Sequence, residues 1–148
     1  MNVDLYSDDP RVVAMDVRRL EIPDAAADLV VAKDILEHFG HGETALVLTE
    51  WARVLKPGAR LWVRCPSLRL QATAYVSGVW DADVASYMIF GGQANPGDFH
   101  RTGFDPDSIR RHLEAAGFEV VHLEEHDLPQ TAGYINLNMT VEATKRPA

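Results

Sequence analysis

Between residues 28 and 65 an apolar strand, a helix-patterned stretch and a second strand follow one another, and this unit constrains the fold more than any other feature. Asp28–Lys33 (DLVVAK) is short and apolar without alternation, the pattern of a strand in a sheet covered on both faces. Glu43–Leu55 reads as a helix: Leu48, Trp51 and Leu55 recur at i, i+3 and i+7, with Val47 and Val54 flanking the stripe. Lys56-Pro57-Gly58 stops it, since the lysine suits the negative end of the helix dipole and Pro-Gly cannot continue the helix. Arg60–Cys65 (RLWVRC) follows as a strand ended by Pro66. Strand, helix, strand in that order makes a parallel α/β sheet the expected architecture.

The flanking segments extend the pattern. Asn2–Tyr6 and Val12–Val17 read as strands separated by the turn-forming Ser7-Asp8-Asp9-Pro10. Leu68–Val79 and Asp83–Phe90 read as helices. Asp105 is placed as an N-cap with Pro106 at the first helical position and Gly117 past the end, and Ile109, Leu113 and Ala116 form the buried stripe between them. Phe118–Glu124 is the next strand. Tyr134–Lys145 alternates strictly, with Ile135, Leu137, Met139, Val141 and Ala143 on one face and Asn136, Asn138, Thr140, Glu142 and Thr144 on the other, which predicts an antiparallel strand with one polar face.

At 148 residues the chain is expected to form one domain over residues 1–148. Its net charge of −8 comes from 22 acidic against 14 scattered basic residues, which argues against a nucleic-acid partner, because binding phosphates needs a clustered basic face. No run of apolar residues is long enough to span a bilayer, and Met1–Pro10 is too polar for a signal peptide, so no membrane partner is expected. The single cysteine, Cys65, excludes an internal disulfide framework and fits a reducing, cytoplasmic compartment.

Three further segments carry a resemblance. Asp16-Val17-Arg18-Arg19-Leu20-Glu21-Ile22-Pro23-Asp24, then Asp28-Leu29-Val30-Val31 with Ile35-Leu36-Glu37-His38-Phe39, then Arg53-Val54-Leu55-Lys56-Pro57-Gly58-Ala59-Arg60-Leu61 occur in the order and spacing of class I S-adenosylmethionine-dependent methyltransferases. Gly91-Gly92-Gln93, Asp98-Phe99-His100 and Ala116-Gly117-Phe118 are similar to a subgroup of small methyltransferases. The resemblance implies a doubly wound, Rossmann-like α/β fold, N-terminally shortened, with a C-terminal antiparallel strand. It also implies S-adenosylmethionine as cofactor and a small-molecule or sugar acceptor. In that family a first strand and a glycine-rich loop precede the segment matching Asn2–Tyr6; none of the ten glycines here supplies that loop. The loop's work is to let backbone N–H groups approach the cofactor closely.

Carried over position by position, the resemblance assigns Asp4 to the cofactor's ribose hydroxyls and Asp16, with the backbone of Val17, to its adenine. Lys33 and Asp34 fall on the turn facing the cofactor. His38, His41 and His100 are the candidate proton acceptors, being near-neutral groups, with His100 and His38 the two expected to take part in catalysis. As a metal cluster, Glu37, His38, His41, Asp98 and His100 match no zinc spacing, since His38 and His41 stand three apart with Gly40 between them, and no metal is expected. No G-x-S-x-G elbow exists for hydrolysis. Two other readings stay open: a degenerate methyltransferase-like binding protein, and an enzyme of the same fold doing non-methyl chemistry.

A gap between Asn2–Tyr6 and Asp28–Lys33 would leave unsatisfied backbone groups at about 1–3 kcal/mol each. Either Asn2–Tyr6 shifts beside Asp28–Lys33, or a second chain fills the gap. A homodimer is the expectation, with Tyr134–Lys145 the candidate segment for pairing or packing between subunits.

Overall fold

The computed structural model describes residues 1–129 and 135–147. In chain order it contains β1 (Asn2–Val3), β2 (Val12–Val13), β3 (Ala27–Lys33), a 3₁₀ turn (Leu36–His38), α1 (His41–Val54), β4 (Leu55–Pro66), α2 (Leu68–Val76), α3 (Ala82–Phe90), α4 (Pro106–Ala115), β5 (Phe118–Pro129) and β6 (Ile135–Lys145). The main sheet has the order β3-β4-β6-β5; β3 and β4 are parallel, and β6 runs antiparallel to both its neighbours. β1 and β2 form a separate parallel pair.

The expected βαβ unit is present, with one refinement at its joint. Helix α1 ends at Val54, and Leu55 is already extended and paired with Ala27. Lys56-Pro57-Gly58 forms an irregularity inside β4: pairing resumes at Leu29 with Arg60, and Gly58 takes a φ of +76° that suits glycine.

Strands β1 and β2 are shorter than Asn2–Tyr6 and Val12–Val17. The Asp4 carboxylate accepts a hydrogen bond from the Tyr6 N–H at 2.8 Å, and the Asp16 carboxylate accepts one from the Arg18 N–H at 2.9 Å. Such local side-chain turns replace the ladder. β1 pairs with β2 alone, so the shift of Asn2–Tyr6 to a place beside β3 does not occur. The expectation for Tyr134–Lys145 is corrected as well. β6 lies between β4 and β5 and both its edges are paired inside the chain, so it has no free edge for a second subunit; Tyr134 itself lies outside the described residues. Gly117 explains part of this order: the chain leaves α4 through Gly117 (φ +89°), and Arg146 N–H donates to the Gly117 carbonyl, tying the end of β6 to the start of β5.

The core fills the space between one sheet face and helices α1 and α4. Leu61, Val63 and Cys65 of β4 and Met139, Val141 and Ala143 of β6 meet Val47, Leu48, Trp51, Ile109 and Leu113. Strand periodicity sends the alternate residues to the opposite face, where Leu29 is 46% and Val31 60% exposed. A smaller cluster of Ala74, Trp80 and Ala85 joins α2 to α3.

Helix α4 starts as expected. The Asp105 carboxylate accepts from the Ser108 N–H at 2.7 Å, and the Ser108 hydroxyl accepts from the Asp105 N–H at 2.9 Å. This reciprocal cap satisfies two amide groups that the helix leaves open. Asp105→Ala is expected to cost about 1 kcal/mol, within a range of roughly 0.5–2. A thermal melt showing no loss would remove the cap from the stability of α4.

Candidate functional site

The carboxyl ends of β1, β2, β3 and β4 all open toward one edge of the molecule, the edge at which parallel α/β sheets bind ligands. Two cavities lie there. The larger, about 370 Å³, is lined by Asp4, Leu5 and Tyr6 after β1, by Asp16, Val17 and Arg18 after β2, and by Asp34, Ile35, His38 and Phe39 after β3. The other, about 300 Å³, lies beneath α2 and α3 and is lined by Glu37, Gln71, Tyr87, Gly91, His100 and Asn138 among others. Asp34, His38 and Asp98 line both, so the cavities share a wall.

Asp4 keeps one carboxylate oxygen on the Tyr6 N–H. Asp16 is gripped by the Arg18 guanidinium at 2.7–3.1 Å, and this pairing holds its carboxyl below the usual range. Val17 is buried in the wall of the larger cavity. Asp34 adopts a left-handed φ of +51°, a strained conformation for a non-glycine residue, and its carboxylate pairs with Arg64 at 2.9 Å through Nε. Lys33 is exposed and lines neither cavity. The reason is strand parity: Leu29, Val31 and Lys33 share one face of β3, while Val30 and Ala32 point to the core. His41, at the first position of α1, is also exposed and outside both cavities.

His38 and His100 are brought together. Their ring centroids lie 5.0 Å apart at 75°, edge to face. The segment after α3 is clasped into place to achieve this. The His100 N–H donates to the Phe90 carbonyl, the Arg101 and Thr102 N–H groups both donate to the Glu37 carbonyl, and the Thr102 hydroxyl donates to the Phe39 carbonyl. Gly91 permits the approach: a Cβ there would sit 2.2 Å from the Asp98 carbonyl oxygen, and its φ is +82°. The His38 Nδ1–H donates to the Phe99 carbonyl at 3.2 Å, leaving Nε2 with the lone pair. Burial, and secondly the nearby His38, push the His100 pKa below its ordinary value, which favours the neutral imidazole.

Glu37 and Asn138 complete the smaller cavity. Glu37 is 2% exposed and burial pushes its pKa up to about 8, so near neutral pH its carboxyl is protonated. Its Oε2 has no hydrogen-bond partner, and neither the oxygen nor the nitrogen of the fully buried Asn138 amide has one. Asn138, Gln71 and Tyr87 were not legible as site residues. Asn138 reads as one member of a polar strand face, and only the placement of α2 and α3 over the end of β6 buries it.

Residues 3–63 match the model of the family described as a methyltransferase domain. A search of curated protein sequences returns no match. Among solved structures, the chain is similar to an S-adenosylmethionine-dependent methyltransferase from Methanosarcina mazei, with a TM-score of 0.69 at 20% identity over 93% of this chain and 68% of that one. It is similar to the 1,6-didemethyltoxoflavin-N1-methyltransferase of Burkholderia thailandensis, solved with its acceptor and S-adenosylhomocysteine (TM-score 0.64, 16% identity, 98% of this chain and 60% of that one). It is also similar to the (4+2)-cyclase SpnF (TM-score 0.61, 18% identity, 93% of this chain and 56% of that one). Residues 3–63 thus match that family's model, and the chain shares its fold with these solved structures. Among the described residues no helix is long and apolar enough to cross a membrane.

Proposed function

We propose that this domain binds S-adenosylmethionine in the larger cavity and directs methyl transfer to a small-molecule or sugar acceptor held in the smaller one. The observation that carries this reading is the shared wall: two ligand-sized cavities meet at Asp34, His38 and Asp98, as an in-line transfer between two bound reactants requires. The residues of the larger cavity fit the cofactor's chemistry. Asp4 and Asp16 are acceptors aimed at hydroxyl and amino groups, and Leu5, Met15, Val17, Ile35 and Phe39 supply apolar walls. Asp34, its carboxylate paired with Arg64, lies beside them in the shared wall. Lys33 is left out of this assignment because it lies on the other face of β3. S-adenosylmethionine supplies an electrophilic methyl group on a sulfonium. The chain's part is to bind both reactants, to exclude water from the shared wall and to accept the acceptor's proton at His100, with His38 packed against it.

Asp16→Ala is expected to weaken S-adenosylmethionine binding by about 1.5–3 kcal/mol, roughly 10- to 150-fold, measured by calorimetry. A dissociation constant within about twofold of wild type would overturn the adenine assignment. The likeness to a cyclase keeps one rival specific: an enzyme of this fold that binds the cofactor without spending its methyl. Cofactor binding without S-adenosylhomocysteine formation on any acceptor would favour it. For assembly, the exposed Leu29 and Val31 on the open sheet face support a homodimer; a 16.4 kDa species in light scattering at high micromolar concentration would exclude it.

A further inference from the structure

We infer that Glu37, His38 and His100 form a binding site for a single first-row divalent cation of the zinc type, set in the smaller cavity at its wall with the larger one. One donor atom from each residue lies within 4.8 Å of the other two. Zinc bonds of about 2.0–2.2 Å bring donors to within roughly 3.5 Å of each other, so the cluster has to contract by about 1 Å, within reach of small rotations of the two imidazoles.

The site is built. Glu37 and His38 sit on the rigid turn before α1, and His100 is fastened to that turn by the hydrogen bonds from Arg101 and Thr102 to the Glu37 carbonyl. The Nδ1–H of His38 donates to the Phe99 carbonyl, which fixes the tautomer and leaves Nε2 with its lone pair, the outer-shell arrangement found around metal-bound histidines. The backbone of His100 is held by its N–H donating to the Phe90 carbonyl at 3.0 Å.

A second, independent observation points to a guest. Glu37 Oε2 and both polar atoms of the Asn138 amide are buried without partners, and both residues line this cavity. Buried polar groups are almost always satisfied, and each orphan costs about 1–3 kcal/mol. A cation on Glu37, carrying a water within reach of Asn138, would satisfy these groups. Two imidazoles and one carboxylate with an open fourth position are the ligand set of zinc-like ions and a poor one for magnesium or calcium, which prefer oxygen. Spacing alone could not reveal it, because the third ligand arrives from the far side of α3.

This inference does not rest on the methyl-transfer reading, and its test uses neither cofactor nor acceptor. The full chain, stripped with chelator and dialysed, is titrated with Co²⁺ and followed by visible absorption, then with Zn²⁺ as competitor. One cobalt per chain with d–d bands, displaced by zinc, is expected. Glu37→Gln, His38→Gln and His100→Gln should each weaken cobalt binding at least 10- to 100-fold, the loss typical of removing only an outer-shell partner. His122→Gln, at the exposed His122–Glu124 pair of β5, should leave it unchanged. Circular dichroism checks folding; if His100→Gln does not fold, the isosteric Glu37→Gln decides. Absence of cobalt bands up to about 1 mM, full binding in Glu37→Gln, or loss of binding in His122→Gln would each overturn the site.

Discussion

Replacing His100 by alanine is expected to lower turnover on an identified acceptor by roughly 10²–10⁴-fold while leaving S-adenosylmethionine affinity within about twofold. The imidazole lines the smaller cavity and is not among the residues that line the larger one. Its loss should therefore appear in kcat and not in cofactor binding. The pH profile supplies a second readout. A base must be neutral to accept a proton, so the rate falls as pH drops through its pKa. Burial and the neighbouring His38 lower the His100 pKa, which places the acid limb of the wild-type profile below the ordinary histidine value of 6.5. Unchanged turnover in His100→Ala would remove the residue from the reaction. A profile with its acid limb above 6.5 would contradict the environment described for it. Turnover falls whether His100 acts as base or as metal ligand, so those two roles are separated by the cobalt titration.

Phe104→Ala is expected to cost about 3–5 kcal/mol of stability. Phe104 is 1% exposed, stands edge-on to His112 with ring centroids 5.9 Å apart, and is bridged through its backbone to Ser67. Its carbonyl accepts the Leu68 N–H at 2.8 Å. Next to it, a Cβ on Gly103 would sit 2.8 Å from the Leu68 side chain, so the chain is closely packed against the start of α2. Removing the ring leaves a cavity that this crowded neighbourhood cannot readily close. Against a total stability of about 5–15 kcal/mol the loss is large. Urea denaturation should show a lower midpoint with an unchanged slope. Because Phe104 ends the segment that carries His100, turnover should also fall in the folded fraction, with cofactor affinity retained. A shift below about 1 kcal/mol would show that the segment is held by its hydrogen bonds alone.

Much of the fold was legible because it is written in short-range patterns. The apolar run Asp28–Lys33, the stripe Leu48-Trp51-Leu55 and the Asp105-Pro106 start of α4 each lie within a dozen residues, and each appears close to where its period and caps place it. That Asp4, Asp16 and Asp34 would gather at one edge, where they line the larger cavity, was legible for a related reason. They follow consecutive strands, and the carboxyl ends of parallel strands converge on one edge. Lys33 was misassigned by one residue of strand parity, which the continuous apolar pattern of β3 does not encode.

What the sequence by itself determined is therefore the order of strands and helices along the chain and the edge of the sheet at which the two cavities open. Tertiary structure alone decided three matters. It inserted β6 between β4 and β5, pairing Val63 with Val141 and Leu123 with the same residue, so that the most regular strand pattern in the chain is interior to the sheet and offers no free edge for pairing. It buried Asn138, a residue whose alternation marks it as solvent-facing, beneath α2 and α3, where its backbone pairs with Pro66. And it set His100 beside His38 and Glu37 through backbone hydrogen bonds to the Glu37 carbonyl and a side-chain bond from His38 Nδ1 to the Phe99 carbonyl across 61 residues. Periodicity, capping and turn chemistry act over one or two turns of chain, whereas these contacts depend on which surfaces pack together once the elements exist.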